Sequence, residues 1–173
     1  TATVQRREGR TVLVDLGPRA TGTIREEEQI PADRYAPGAR VKCILYSVGK
    51  TIRGPELLCS RTHPDLIRKL FGMEVPEVSN GAVTIKAVAR EPGSRAKVAV
   101  SSSEENVDPI GACIGQRGTR VQTVIAELSG EKIDIILHDE DPAVFIANAM
   151  APAKVTRVEL QPEQRGAVVY VRP

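Results

Sequence analysis

Asp108-Pro109-Ile110-Gly111-Ala112-Cys113-Ile114-Gly115-Gln116-Arg117-Gly118-Thr119-Arg120-Val121 decides how the rest of the chain is read. Asp108 is a natural helix cap, and Pro109 suits the first helical position because its missing N–H is not needed there. Val107, Ile110 and Ile114 then fall on one side. A sharp turn is expected at Gly115-Gln116-Arg117-Gly118. Val121, Val124, Ile125 and Leu128 follow at the 3.6-residue period of a second amphipathic helix, which Gly130 ends. Two glycines strip the side chains from both ends of a four-residue turn, so a sugar-phosphate chain can approach its backbone. Free N–H groups at the start of the second helix favour an anion, and Arg117 and Arg120 add donors. The same residues also suit a plain helix-hairpin turn in which glycine serves geometry alone.

This pair of short helices resembles the GXXG clamp of KH domains, which holds the backbone of single-stranded nucleic acid. The surrounding periodicity agrees. Upstream, Leu66, Ile67, Leu70 and Phe71 form the buried stripe of a helix from Ser60 to Gly72, with His63 as a capping or surface residue and Pro64 in the first turn. Met73 to Val78 reads as an extended crossing segment. Val83 to Arg90 and Lys97 to Ser101 read as strands around the turn Glu91-Pro92-Gly93-Ser94, with Val83, Ile85, Ala87 and Ala89 on one face. Lys132-Ile133-Asp134-Ile135-Ile136-Leu137-His138 supplies a third strand. Helix, strand, strand, helix, clamp, helix, strand is the order of the prokaryotic, type II KH fold, an α+β unit.

Residues 1–60 read as all β. Strands are expected at Ala2–Arg6, Thr11–Gly17, Ala20–Ile24, Arg40–Tyr46 and Glu56–Ser60, with a Pro-bearing loop from Gln29 to Gly38. Five short strands in such a length suit a small barrel, whose closure removes exposed edges. At the other end, Asp139-Glu140-Asp141-Pro142 opens a helix that Met150-Ala151-Pro152 ends, and Lys154–Leu160 with Ala167–Val171 makes a hairpin. That repeats helix, strand, strand without a second GXXG.

The order of Val-Asp-Leu-Gly, Glu-Gln-Ile-Pro, Tyr-x-x-Gly-x-Arg and Gly-Pro-x-Leu-x-x-Ser-Arg-Thr in the front third resembles the OB-type RNA-binding domain of the NusA family of bacterial transcription factors. Three further runs, Ala87–Arg95, Gly111–Gly118 and Glu127–Ile135, resemble that family's first KH domain. The resemblance covers essentially the whole chain. It implies a multidomain protein: an all-β OB-fold barrel over 1–60, a type II KH domain with its GXXG loop over 61–138, and the first half of a second KH domain over 139–173, truncated before its own GXXG. It implies a single-stranded RNA-binding module of a transcription elongation, termination and antitermination factor. Nascent RNA would be the partner, with RNA polymerase and other antitermination factors engaged by the full-length factor. By the same resemblance, the family's polymerase-binding N-terminal domain is expected to lie outside this stretch.

On that reading the RNA-binding candidates are Gly111, Ile114, Gly115, Gln116, Arg117, Gly118 and Arg120 at the clamp. Arg90, Arg95 and Lys97 are candidates on the adjoining strands, and Arg6, Arg40, Lys42, Lys50 and Arg53 on the barrel. Each cation taken alone is equally well a solvated surface charge. The barrel has few rings for stacking, Tyr35 in a loop and Tyr46 at a strand end, so a mainly electrostatic contact is expected there.

Composition narrows the alternatives. The net charge is +2, too small for a charge blanket over duplex DNA, although averages hide patches. The basic excess lies at the front, with ten Lys/Arg against seven Asp/Glu in residues 1–60. With no Trp and two Phe, any core must rest on Val, Ile, Leu and Ala. Cys43, Cys59 and Cys113 form no CxxC pair and sit in apolar runs, so all three are expected as buried, reduced thiols. Two distant histidines, no metal-ligand spacing and no phosphate loop ending in Lys-Ser or Lys-Thr give no case for an enzyme, a metal or a cofactor. No signal peptide or membrane-length apolar run is seen, so the cytoplasm is the expected compartment and no membrane partner is expected. The chain begins without Met in a strand-like stretch, as expected of a piece of something longer. A second class of function remains: a protein-interaction scaffold with a vestigial clamp, favoured if an apolar patch without basic neighbours is exposed.

Overall fold

The structure is a computed structural model that describes residues 1–173. The front of the chain forms one six-stranded sheet from β1 (Ala2–Glu8), β2 (Thr11–Gly17), β3 (Ala20–Ile24), β4 (Arg40–Val41), β5 (Ile44–Thr51) and β6 (Gly54–Ser60). Its order is β4-β1-β2-β3-β6-β5, antiparallel except for the β3–β6 pair. The alternation in the sequence appears directly in the packing. Ala2, Val4, Val12, Val14 and Ile24 point to one face and bury there with Tyr35 and Cys59.

The single strand expected over Arg40–Tyr46 is two. β4 pairs with β1 and β5 pairs with β6, and only Lys42 and Cys43 lie between them. The backbone of Lys42 is engaged elsewhere: its N–H donates to Glu127 Oε1 at 3.1 Å and its carbonyl accepts from Arg61 Nη1 at 2.8 Å. A backbone group used in this way cannot also serve a ladder.

The middle of the chain contains α1 (Pro64–Glu74), α2 (Pro76–Ser79), β7 (Val83–Glu91), β8 (Arg95–Ser102), α3 (Pro109–Ile114), α4 (Thr119–Glu127) and β9 (Lys132–Leu137). β7 and β8 are antiparallel, β8 and β9 parallel, in the order β7-β8-β9. His63 caps α1 by accepting from the Asp65 N–H at 3.1 Å. The helix runs past Gly72, and Pro76 stops it by forcing Val75 into extended backbone (φ −116°, ψ 104°). Pro76 then opens α2, a single turn where an extended segment was expected.

Leu66, Ile67, Leu70 and Phe71 of α1 pack with Val83, Ile85, Val98 and Val100 of the sheet, and with Val121, Val124 and Leu128 of α4 and its end. Burying each such side chain contributes about 1.5–3 kcal/mol before its entropy cost. β7 does not keep one apolar face throughout. A bulge between Ile85 and Ala87 turns Val88 toward this core and leaves Ala89 exposed.

The last element set is α5 (Pro142–Ala149) with the hairpin β10 (Val155–Gln161) and β11 (Gly166–Val171). Asp141 caps α5 through the Ala143 N–H. No helix is long and apolar enough to cross a membrane.

The front sheet and the central unit share a buried boundary. Ile30, from the loop after β3, belongs to the same core as Leu66 and Phe71. At its edge lies Arg61, whose side chain is 2% exposed. All five guanidinium N–H groups are used: Nε and Nη2 on the two Asp33 oxygens (2.9 and 3.2 Å), Nη1 on Lys42 O and Glu127 Oε1 (2.8 and 3.1 Å), and Nη2 again on Glu127 O (2.9 Å). Ser129 closes the cluster by donating to Asp33.

Candidate nucleic-acid interface

The clamp forms as two short helices broken at Gly115. Asp108 caps α3 by accepting from the Ile110 N–H at 3.1 Å, a contact worth about 1 kcal/mol. Gly111 faces that cap closely: a Cβ there would lie 2.6 Å from Asp108 Oδ2. Gly115 ends α3 with φ 77° and ψ 174°, and Gly118 precedes α4 in the left-handed region (φ 73°, ψ 15°). The backbone at Gly115 is one that essentially only glycine adopts, and the left-handed φ at Gly118 favours glycine. Arg117 is left-handed too (φ 55°, ψ 26°), a conformation that costs a non-glycine residue roughly 1–2 kcal/mol. Gln116 and Arg117 are exposed, and no side chain caps α4, so its first amides have no side-chain acceptor.

Beside the clamp runs an apolar cleft of about 350 Å³, room enough for a nucleobase. Ile114 and Val121 form its helical wall, Ile133 and Ile135 of the edge strand β9 its sheet wall, and Ala151-Pro152 one end. Arg95 and Asp134 stand at its charged rim. The Arg95 Nε donates to Asp134 Oδ2 at 2.7 Å, and Lys97 Nζ lies 3.6 Å from the same oxygen while donating to Ala151 O at 2.8 Å. The hydrogen bond from Arg95 is the main reason the Asp134 carboxyl sits below the usual carboxylate range.

The structure thus brings Gly111, Ile114, Gly115, Gln116, Arg117, Gly118 and Arg120 together around one loop, with Arg95 and Lys97 at the neighbouring cleft. Arg120 is committed within the protein, its Nη1 donating to Glu77 Oε2 at 2.9 Å and to Ala112 O at 2.8 Å.

Arg90 does not belong to the surface. Its side chain is 2% exposed, pairs with the fully buried Glu131 through Nε, and donates from Nη1 to His63 O. A guanidinium so enclosed holds β7 to the loop before β9 and is closed to a ligand. Tyr35 is likewise buried, with its hydroxyl accepting from the Ile30 N–H, so it cannot stack on a base; Tyr46 is on the surface. Of the barrel cations, Arg6 is paired with Glu8. Arg40, Lys50 and Arg53 are exposed, and Lys42 is half-buried.

Ile133, Asp134, Ile135, Ala151 and Pro152 line this cleft, and the sequence reading did not single them out. The period-2 pattern placed Ile133 and Ile135 on one face of a strand. That α3 and α4 leave part of this face uncovered is a tertiary fact.

Comparison with known proteins agrees with this geometry. Residues 61–138 match the family model described as the NusA-like first KH domain. The transcription termination/antitermination protein NusA of Thermus thermophilus is 53% identical over 160 residues, covering 92% of this chain and 41% of that protein. The protein of the same name from Halalkalibacterium halodurans is 44% identical over 171 residues, 99% of this chain and 44% of its own length. That of Mycobacterium bovis is 49% identical over 165 residues, 94% and 48% respectively. The chain spans less than half the length of these relatives. A match at this identity over nearly all of its residues means that the chain belongs to the NusA family.

Proposed function

We propose that this chain is a single-stranded RNA-binding module of a factor acting in transcription elongation, termination and antitermination. Its ligand is nascent RNA, and RNA polymerase and other antitermination factors are engaged by the longer protein. The observation that carries the reading is the loop Gly115–Gly118. Its backbone is opened by two positive-φ glycines, its helix start has no side-chain cap, its Arg117 is exposed, and Ile114 just before it lines an apolar cleft of base size.

The module divides into an OB-type barrel over 1–60, a KH domain over 61–138 and the first half of a second KH domain over 139–173. The barrel reading takes β4 and β5 as one bent strand closing the sheet from β1 to β6 across Lys42 and Cys43. The pairing of β4 with β1 and of β5 with β6 supports it. Its contact with RNA is electrostatic, through Arg40, Lys42, Lys50 and Arg53. A scaffold function would use the exposed Leu45, Val48 and Ile52 of the β5–β6 hairpin, but Lys50 and Arg53 sit among them, a pattern better suited to RNA than to an apolar docking patch.

Replacing Gln116 and Arg117 together by Asp tests the clamp. Aspartate tolerates the left-handed region, and exposed substitutions change stability by about 0.5 kcal/mol or less. Two anions facing a phosphate chain are expected to weaken binding by about tenfold or more in a fluorescence-anisotropy titration with a labelled single-stranded RNA. Equal dissociation constants for two proteins with coincident melting curves would overturn the reading.

A further inference from the structure

Glu77 and Arg120 are 43 residues apart in sequence and meet beneath the clamp. Arg120 grows from α4, yet its Nη1 donates both to Glu77 on α2 and to the Ala112 carbonyl on α3. Because α3 stops at Ile114, that carbonyl lacks the amide a further turn would have supplied, and the guanidinium takes its place. The aliphatic stem of the same side chain lies flat under Gly115: a Cβ on that glycine would stand 2.7 Å from Arg120 Cγ. One arginine therefore ties together three helices and supports the residue at which the chain turns.

We propose that Glu77 and Arg120 are positioning residues of the clamp, which hold the Gly115–Gly118 backbone in its open shape without touching phosphate themselves. This rests on the reading that the clamp binds single-stranded RNA. It assigns a role to Glu77, an acidic residue that charge alone would mark as unfavourable near a polyanion. The two views give opposite signs. If Glu77 merely repels RNA and occupies Arg120, removing it frees a cation, tightens binding and steepens the salt dependence. If Glu77 positions the loop, removing it weakens binding and leaves the salt dependence unchanged.

The test compares Glu77→Ala, Glu77→Gln, Arg120→Ala and the Gln116/Arg117 double aspartate with wild type, using the 173-residue chain and the same labelled single-stranded RNA over a range of salt. Positioning predicts about threefold weaker binding for Glu77→Ala and for Arg120→Ala, each with the wild-type salt slope. It predicts near-normal binding for Glu77→Gln, whose amide oxygen still accepts from Arg120. A pair with each side chain about a third exposed (31% and 33%) is of modest energy, so effects of this size are what it can supply. Tighter binding by Glu77→Ala overturns the proposal, as does a slope about 0.7 steeper for that variant or about 0.7 shallower for Arg120→Ala. Should Glu77→Ala fail to fold, the Glu77→Gln affinity and the Arg120→Ala slope still decide. Loss of binding by the double aspartate alongside a gain by Glu77→Ala overturns this proposal alone. A double aspartate that binds like wild type overturns the clamp reading and this proposal with it.

Discussion

Arg61→Ala should separate the front sheet from the central unit. Its guanidinium is buried and donates five hydrogen bonds to Asp33, Lys42 and Glu127. Asp33 is on the front side, with a side chain 6% exposed, and Glu127 ends α4. Truncation leaves a carboxylate and two carbonyls desolvated without their main donor, a loss of about 3–5 kcal/mol for a broken buried pair. That is a large part of the 5–15 kcal/mol typical of a folded protein. Arg61→Lys should rescue little, because an ammonium cannot reproduce a five-donor fork.

Urea unfolding measures the loss, and NMR relaxation shows whether the two parts begin to tumble independently. A cycle with Asp33→Ala should show coupling of about 0.5–3 kcal/mol, since the two residues share two of the five bonds. Acid provides a second reading. Burial pushes the Asp33 carboxyl up, but hydrogen bonds from Arg61 and Ser129 and the Arg61 charge prevail, so it sits below the ordinary value. Its contribution is fully present above the unfolded pKa of about 3.9 and is lost as pH falls through the lowered folded value. Arg61→Ala should remove that acid-side dependence. A loss under about 1 kcal/mol, with unchanged tumbling and an unchanged acid limb, would refute the role assigned to this residue.

Two further outcomes are expected. Affinity for single-stranded RNA should fall with salt on a slope no steeper than about 3.5, at roughly 0.7 for each of the five proposed cations outside ion pairs, Arg40, Lys42, Lys50, Arg53 and Arg117; a slope near zero, or one twice as steep, contradicts this assignment in a titration from low to physiological ionic strength. Iodoacetamide should alkylate Cys43 first, because its thiol is half-buried whereas Cys59 and Cys113 are buried and burial pushes the Cys113 thiol up to about 11; equal rates at all three cysteines, read by mass spectrometry, would contradict this order.

The elements that the sequence made legible are those whose cause is local. The cap at Asp108, the glycines at 115 and 118 and the stripe Val121-Val124-Leu128 state α3, the turn and α4 between residues 108 and 128. What stayed hidden depends on partners far along the chain. Arg90 looks like any strand cation until Glu131, 41 residues later, is folded against it. The break at Lys42 exists because Arg61 and Glu127 take its backbone, and neither is near it in sequence. Tyr35 looked available because loops are usually exposed, yet its ring fills the front core. The bulge after Ile85 shifts the apolar register of β7 by one residue, which period-2 counting cannot foresee. Arg117 in the left-handed region is also illegible, since arginine carries no preference for it.

On the proposed reading, the internal use of arginine also bears on how a nearly neutral chain would hold a polyanion. Arg6, Arg90, Arg95, Lys97 and Arg120 spend their charge on Glu8, Glu131, Asp134 and Glu77. At physiological salt an exposed charge is screened beyond about 8 Å, so on the proposed reading the clamp would work at contact distance, through amides and Arg117, with little long-range pull. Weak contacts of this kind gain from being held at fixed spacing, because the first makes the second intramolecular and raises its effective concentration. The buried Arg61 junction supplies such spacing. It fixes the unpaired cations of β4 and the β5–β6 hairpin relative to the Gly115–Gly118 loop without a flexible linker between Ser60 and Pro64. On the proposed reading, the five hydrogen bonds of one side chain outside the binding surface therefore bear on affinity as well as on stability.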